Sequence, residues 1–168
     1  MAIRKIAAVS VATALVFGTA GCTFMSPQAS RIEYAPSDGT QVDLENLRLR
    51  NFVYLTNGTV SAIAGSIVNP SAETKTLRIE YTDATLNEAK VVSLDVAAGQ
   101  KLDLGFNGQP ALNIDLGGKA GGIVRITASE GSVSGIELRV PVLDSTFDYY
   151  KPTIDSLPLK QADVTTAK

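Results

Sequence analysis

From Gln41 onward, apolar residues recur at every second position in short runs separated by turn residues. This is the period of strands with one buried and one wet face. Leu47, Leu49, Val53 and Leu55 mark one strand, with an irregularity expected at Asn51. Asn57-Gly58 separates it from a second run over residues 59–69, and an Asn-Gly pair between two apolar runs predicts a type I′ hairpin turn. Asn69-Pro70-Ser71 closes that run, after which Leu77, Ile79 and Tyr81 alternate with Arg78 and Glu80. Val92, Leu94 and Val96 form the next inward set, then an Ala97-Ala98-Gly99-Gln100 turn leads to Leu102, Leu104 and Phe106. Val124 and Ile126 precede a Glu130-Gly131 turn, and Ile136, Leu138, Val140 and Val142 close the series with Glu137 and Arg139 facing out. About seven strands at this spacing predict an all-β domain, an immunoglobulin/cupredoxin-like β-sandwich.

The start of the chain has a different character. Arg4 and Lys5 are followed by an apolar run over residues 6–17, the layout of a secretory signal. That run falls short of the roughly 20 apolar residues that span a bilayer. It ends in Gly18-Thr19-Ala20-Gly21-Cys22, which resembles the lipobox of bacterial lipoproteins, with Thr19 where the motif more often has Leu or Val. The expectation is a signal peptide over residues 1–21, cleavage before Cys22, and acylation of that thiolate, the side chain nucleophilic enough to take a diacylglyceryl group. The protein would then sit on the extracytoplasmic face of the cell membrane, with membrane lipid as its partner through Cys22. Residues 22–40, polar and interrupted by Pro27 and Pro36, read as a flexible tether, in which residues 23–39 have a reach of about 55 Å. Within it, Arg31-Ile32-Glu33-Tyr34 is the part expected to dock. Residues 41–143 form the sandwich, and residues 144–168, with Pro152 and Pro158, a partly disordered tail.

Composition narrows the chemistry. The 168 residues carry 15 basic and 17 acidic side chains, scattered without a basic patch, so no nucleic-acid partner is expected. There is no His and no Trp, and Cys22 is the single cysteine. The usual general base near neutral pH and the commonest metal ligand are therefore missing, and no catalytic residue, cofactor or metal site is expected. Six glycines within residues 105–122 suggest a phosphate loop, but such a loop opens a helix, and here a strand follows. Gly131-Ser132-Val133-Ser134-Gly135 lacks the central Ser of a nucleophile elbow. Acids such as Glu80, Asp83, Asp95 and Asp103 fall at outward or turn positions, where solvation is the ordinary role. Phe147, Tyr149 and Tyr150 form an aromatic cluster that is the candidate partner contact, the competing reading being that Phe147 and one Tyr cover the sandwich edge.

Four segments in order, residues 42–51 (VDLENLRLRN), 64–70 (AGSIVNP), 97–104 (AAGQKLDL) and 135–142 (GIELRVPV), resemble the small extracytoplasmic copper-chaperone family PCuAC and the actinobacterial lipoproteins grouped with it. The resemblance implies a cupredoxin-like sandwich. The family's His and Met cluster would fall near residues 108–114, where this chain reads Gly-Gln-Pro-Ala-Leu-Asn-Ile and has no copper(I) ligand. The expected function is a non-catalytic binding or structural module of the cell envelope, contacting an envelope protein or cell-wall component. The alternatives are an accessory in copper trafficking that keeps the fold without the ligands, and a hydrolase working through a carboxylate pair.

Overall fold

The computed structural model describes residues 36–131 and 134–157. Eight strands follow one another: β1 (Thr40–Asp43), β2 (Arg48–Thr56), β3 (Ser61–Val68), β4 (Lys75–Asp83), β5 (Glu88–Val96), β6 (Lys101–Leu104), β7 (Ile123–Glu130) and β8 (Ile136–Leu143). A short helix, α1 (Lys151–Asp155), comes last. β1-β2-β3-β6 form one antiparallel layer and β5-β4-β7-β8 the other. The layers join where β2 and β8 run parallel for two residues, Tyr54 opposite Val142 and Leu55 opposite Leu143. Between them lie Leu47, Leu49, Phe52, Tyr54, Ile63 and Ile67 from one side and Leu77, Ile79, Val92, Ile126, Leu138 and Val140 from the other. The protein is an all-β sandwich with one strand more than the apolar runs predict; the addition, β1, carries only Val42 as an apolar residue.

β4 follows its sequence pattern, with Leu77, Ile79 and Tyr81 buried and Glu80 exposed. β2 does not keep one phase. Asn51 sits at φ +52°, and the pairing with β3 slips between Arg50 and Val53. Such a bulge inserts one residue and turns every later side chain to the opposite face. Phe52 and Tyr54 therefore join Leu47 and Leu49 in the central core, while Val53 and Leu55 point to the outer face. The amide of Gly39 donates to Asn51 Oδ1 at 2.9 Å, which fixes the bulge to the residues entering β1. A Cβ on Gly39 would lie 2.5 Å from the Asn51 carbonyl carbon, so only glycine passes there.

The outer face of this layer is covered by the end of the chain. Val53, Leu55 and Ala64 pack with Tyr150 and Ile154, and Val60 and Ala62 pack with Leu157. A layer covered on both sides needs no polar alternation, which is why Phe52-Val53-Tyr54-Leu55 and Ala62-Ile63-Ala64 are unbroken apolar runs. Contacts of the domain thus reach from Asp38 to Leu157.

One turn and one strand position differ from their sequence readings. The β2–β3 hairpin forms at Asn57-Gly58, but only Gly58 takes a positive φ, +89°. The Asn57 side chain instead accepts from the amides of Thr59 at 2.9 Å and Val60 at 3.0 Å, so a side-chain turn replaces the type I′ geometry. Ile136, expected inward, is 43% exposed at the first position of β8; the inward set begins at Leu138.

Candidate functional site

Two surfaces hold the groups with the capacity to meet another molecule. The first is the aromatic corner. After β8, residues 144–150 turn back over the outer face of the β1-β2-β3-β6 layer, with the Tyr150 amide donating to the Phe147 carbonyl at 3.0 Å. Tyr150 is 2% exposed, and its hydroxyl donates to Asp38 Oδ2 at 2.9 Å. Burial first, and then the Asp38 carboxylate it bonds, hold this phenol well above its usual pKa, so it stays a proton donor. Tyr149 stacks on Phe106 with ring centroids 6.1 Å apart and meets Tyr150 edge-on at 5.1 Å, yet remains 70% exposed. Phe147 is 59% exposed. Of the three candidate contact residues, Phe147 and Tyr149 therefore face outward and Tyr150 is an internal brace. The Thr153 hydroxyl, donating to the Gly105 carbonyl at 2.7 Å, fastens α1 over the same corner.

The second surface is a polar depression of about 780 Å³ at one end of the sandwich, lined by residues 56–61 of the hairpin, residues 113–120 in part, Asp144 and Ser145. Tyr54 holds its floor. Its hydroxyl lies 2.6 Å from Ser61 Oγ and accepts from the Leu116 amide at 2.9 Å, tying the glycine-rich loop to β2 and β3. Asp115 in its wall accepts from the Gly117 amide at 2.9 Å and from the Thr85 hydroxyl at 2.7 Å. Asn113 Nδ2 has no hydrogen-bond partner among the described residues. The carboxylate is thus engaged in holding the loop, and β7 rather than a helix follows this loop.

Two acids expected at solvated positions are buried. Asp83 is 1% exposed, where its carboxylate accepts from Lys90 Nζ at 2.9 Å and from the amides of Leu86 at 2.9 Å and Thr85 at 3.1 Å. The bond from Lys90, followed by that from the Leu86 amide, lowers its pKa. Asp103, 8% exposed, meets Ser66 Oγ, Asn107 Nδ2 at 2.7 Å and Lys101 Nζ at 2.9 Å. Glu130 is also 8% exposed and accepts from Asn46 N, Asn46 Nδ2 and Leu47 N at 2.7, 2.8 and 3.2 Å. Burial works to raise the Glu130 carboxyl, but these hydrogen bonds outweigh it and its pKa lies below the ordinary value. Each closes a turn or a strand end. Strand alternation shows neither the backbone amides of Thr85 and Leu86 that Asp83 meets nor the Ser66, Asn107 and Lys101 side chains that gather on Asp103, and this is why the sequence pattern misplaces both. Glu80 and Asp95 are exposed as expected. Among the described residues no group of three or more His, Cys, Asp or Glu is placed to hold a metal ion.

Cys22, the signal segment, the docking stretch Arg31-Ile32-Glu33-Tyr34, Ser132, Val133 and the last ten residues lie outside the described residues. No helix among the described residues is long and apolar enough to cross a membrane. No family model matches the chain, and no curated protein matches it. Solved structures similar to it include the apo PCuAC domain of PmoF2, at a TM-score of 0.47 and 9% identity, covering 64% of this chain and 98% of that one. The copper-bound PCuAC domain from PmoF2 gives 0.45 and 8%, covering 62% and 98%. The apo PCuAC domain from PmoF1 gives 0.42 and 13%, covering 61% and 98%. Likeness of this degree says nothing about what this chain binds.

Proposed function

We propose that the protein is a lipid-anchored, extracytoplasmic lipoprotein whose sandwich serves as a non-catalytic binding or structural module of the cell envelope. The observation that carries this reading is Cys22, the single cysteine of the chain, placed directly after Thr19-Ala20-Gly21 at the end of the apolar run. One acyl chain binds a membrane only marginally, at about 10⁴ M⁻¹, whereas two give stable attachment, so a diacylglyceryl thioether is a sufficient anchor. The buried carboxylates Asp83, Asp103 and Glu130 hold turns and strand ends, which supports a structural use of the domain's acids over an acid–base pair. Contact is made through Phe147 and Tyr149, the exposed rings of the aromatic corner.

The test is incorporation of a labelled fatty acid. The wild-type protein is expected to carry label and to fractionate with membranes, while Cys22→Ser loses the label and accumulates as precursor or is shed. Equal label in the variant would sink the reading. An accessory role in copper trafficking is the second reading. What supports it is the sequence resemblance alone, two segments of which contain the paired parts of β3 and β6, residues 65–68 opposite 101–104.

A further inference from the structure

We propose that Phe147 and Tyr149 are a second membrane contact, resting in the headgroup boundary of the same bilayer that holds Cys22. The proposal rests on the lipid-anchored reading and names the partner of the aromatic corner.

Three features of the corner point to a lipid surface. Tyr149 is held outward by the fold, packed against Phe106 at 6.1 Å and Tyr150 at 5.1 Å with Tyr150 itself buried, and Phe147, two residues before it, is 59% exposed. Aromatic side chains with an apolar body and, in tyrosine, a polar tip are the ones that collect at membrane–water interfaces. The chain also enters the domain at this corner. Asp38, near the first described residue, accepts the Tyr150 hydroxyl at 2.9 Å, so the described chain begins beside the neighbour of Tyr149.

The third feature is the mode of attachment. Residues 23–37 span at most about 50 Å, enough to let the domain touch the bilayer but not enough to let it leave. Anchoring converts the second contact into an intramolecular one, with an effective concentration on the order of millimolar for a link of this length. Two side chains are then sufficient, although they would not recruit a free protein. Asp148 and Lys151 flank the rings with opposite charges and no basic cluster accompanies them, so entry is apolar and independent of anionic headgroups.

The chain has no tryptophan, so a single one reports cleanly. The acylated full protein carrying Phe147→Trp, and separately Tyr149→Trp, is reconstituted in phosphatidylcholine vesicles with brominated acyl chains. Leu86→Trp is the control, since Leu86 is 55% exposed in the β4–β5 turn of the other layer. Mass spectrometry of each sample first establishes acylation at Cys22. The expected result is blue-shifted emission and loss of intensity by lipid quenching at positions 147 and 149, unchanged in high salt, with neither at position 86. Three results would overturn the proposal. Acylated protein with no quenching at 147 and 149 would remove the membrane contact and leave the anchored reading intact. A blue shift in the vesicles without quenching by the brominated lipid would assign the corner to a second copy of the chain or another protein. An unacylated Cys22 would remove the anchored reading and this contact together.

Discussion

Ile154→Ala tests whether the end of the chain belongs to the sandwich. Ile154 is 1% exposed, in a cluster with Val53, Leu55, Ala64 and Tyr150. Replacing a buried isoleucine by alanine costs about 2–5 kcal/mol, the upper end applying where the site cannot collapse. β2 and β3 behind Ile154 are central, paired strands that cannot move into the gap, so a loss of about 3 kcal/mol is expected. At roughly 4 °C per kcal/mol for a domain of this size, the melting temperature falls by about 12 °C. Phe147→Ala, removing a ring that is 59% exposed, should change stability by no more than about 0.5 kcal/mol. Ending the chain after Leu143 removes Tyr150, Ile154 and Leu157 together and uncovers the strands beneath. At about 1.5–3 kcal/mol for each buried side chain the loss is on the order of 5–9 kcal/mol, against a total stability of about 5–15 kcal/mol. The shortened chain should therefore be largely unfolded. Thermal melts followed by circular dichroism read all three. A melting point for Ile154→Ala within a degree or two of wild type would refute the packing argument, as would a stable domain ending at Leu143.

Ile79→Asp and Leu138→Asp should each unfold the domain, because Ile79 is 0% and Leu138 is 2% exposed and an unpaired buried carboxylate costs several kcal/mol; their exposed neighbours in Glu80→Ala and Arg139→Ala should leave the melt unchanged. Asp83 has a folded pKa below its ordinary value, so its contribution to stability is complete above the unfolded value near 3.9 and is lost as pH falls through the folded one. Asp83→Asn should therefore flatten the decline in stability below about pH 4 that wild type shows in acid titration, and an unchanged decline would count against the Lys90 pairing. Competition titration with a copper(I) chelator should find no one-to-one complex of nanomolar affinity in protein whose Cys22 is acylated, since the chain has no His and no other cysteine and its only methionine besides Met1 is Met25; such a complex would return the protein to the chaperone class.

β4 was legible in the sequence because one of its faces is wet: Leu77, Ile79 and Tyr81 alternate with charged residues, and the structure keeps that phase. β2 was legible as a strand but not in its phase, since alternation carries no mark of which side of a bulge a residue lies on. Asn51 was visible as an irregularity, and the inversion it causes moves Val53 and Leu55 to the other face. The cover supplied by residues 144–157 was obscured because α1 is five residues long, starts with Lys151-Pro152 and buries only Ile154 of its own. A sign of it was present in the two unbroken apolar runs of β2 and β3, which require burial on both faces and therefore a cover from elsewhere in the chain. The aromatic corner was visible as composition. Which ring faces outward was not, because that depends on Asp38 and Phe106, distant in sequence from Tyr149 and Tyr150.

The central claim is that the sandwich is held at a membrane through Cys22, and the intact mass of the protein isolated from membranes of the producing cell tests it most directly. The expected polypeptide begins at Cys22 and carries the added mass of a diacylglyceryl group, with fragmentation placing that mass on the first residue. A chain retaining residues 1–21, or one beginning at any residue after Cys22 without acyl mass, would contradict it.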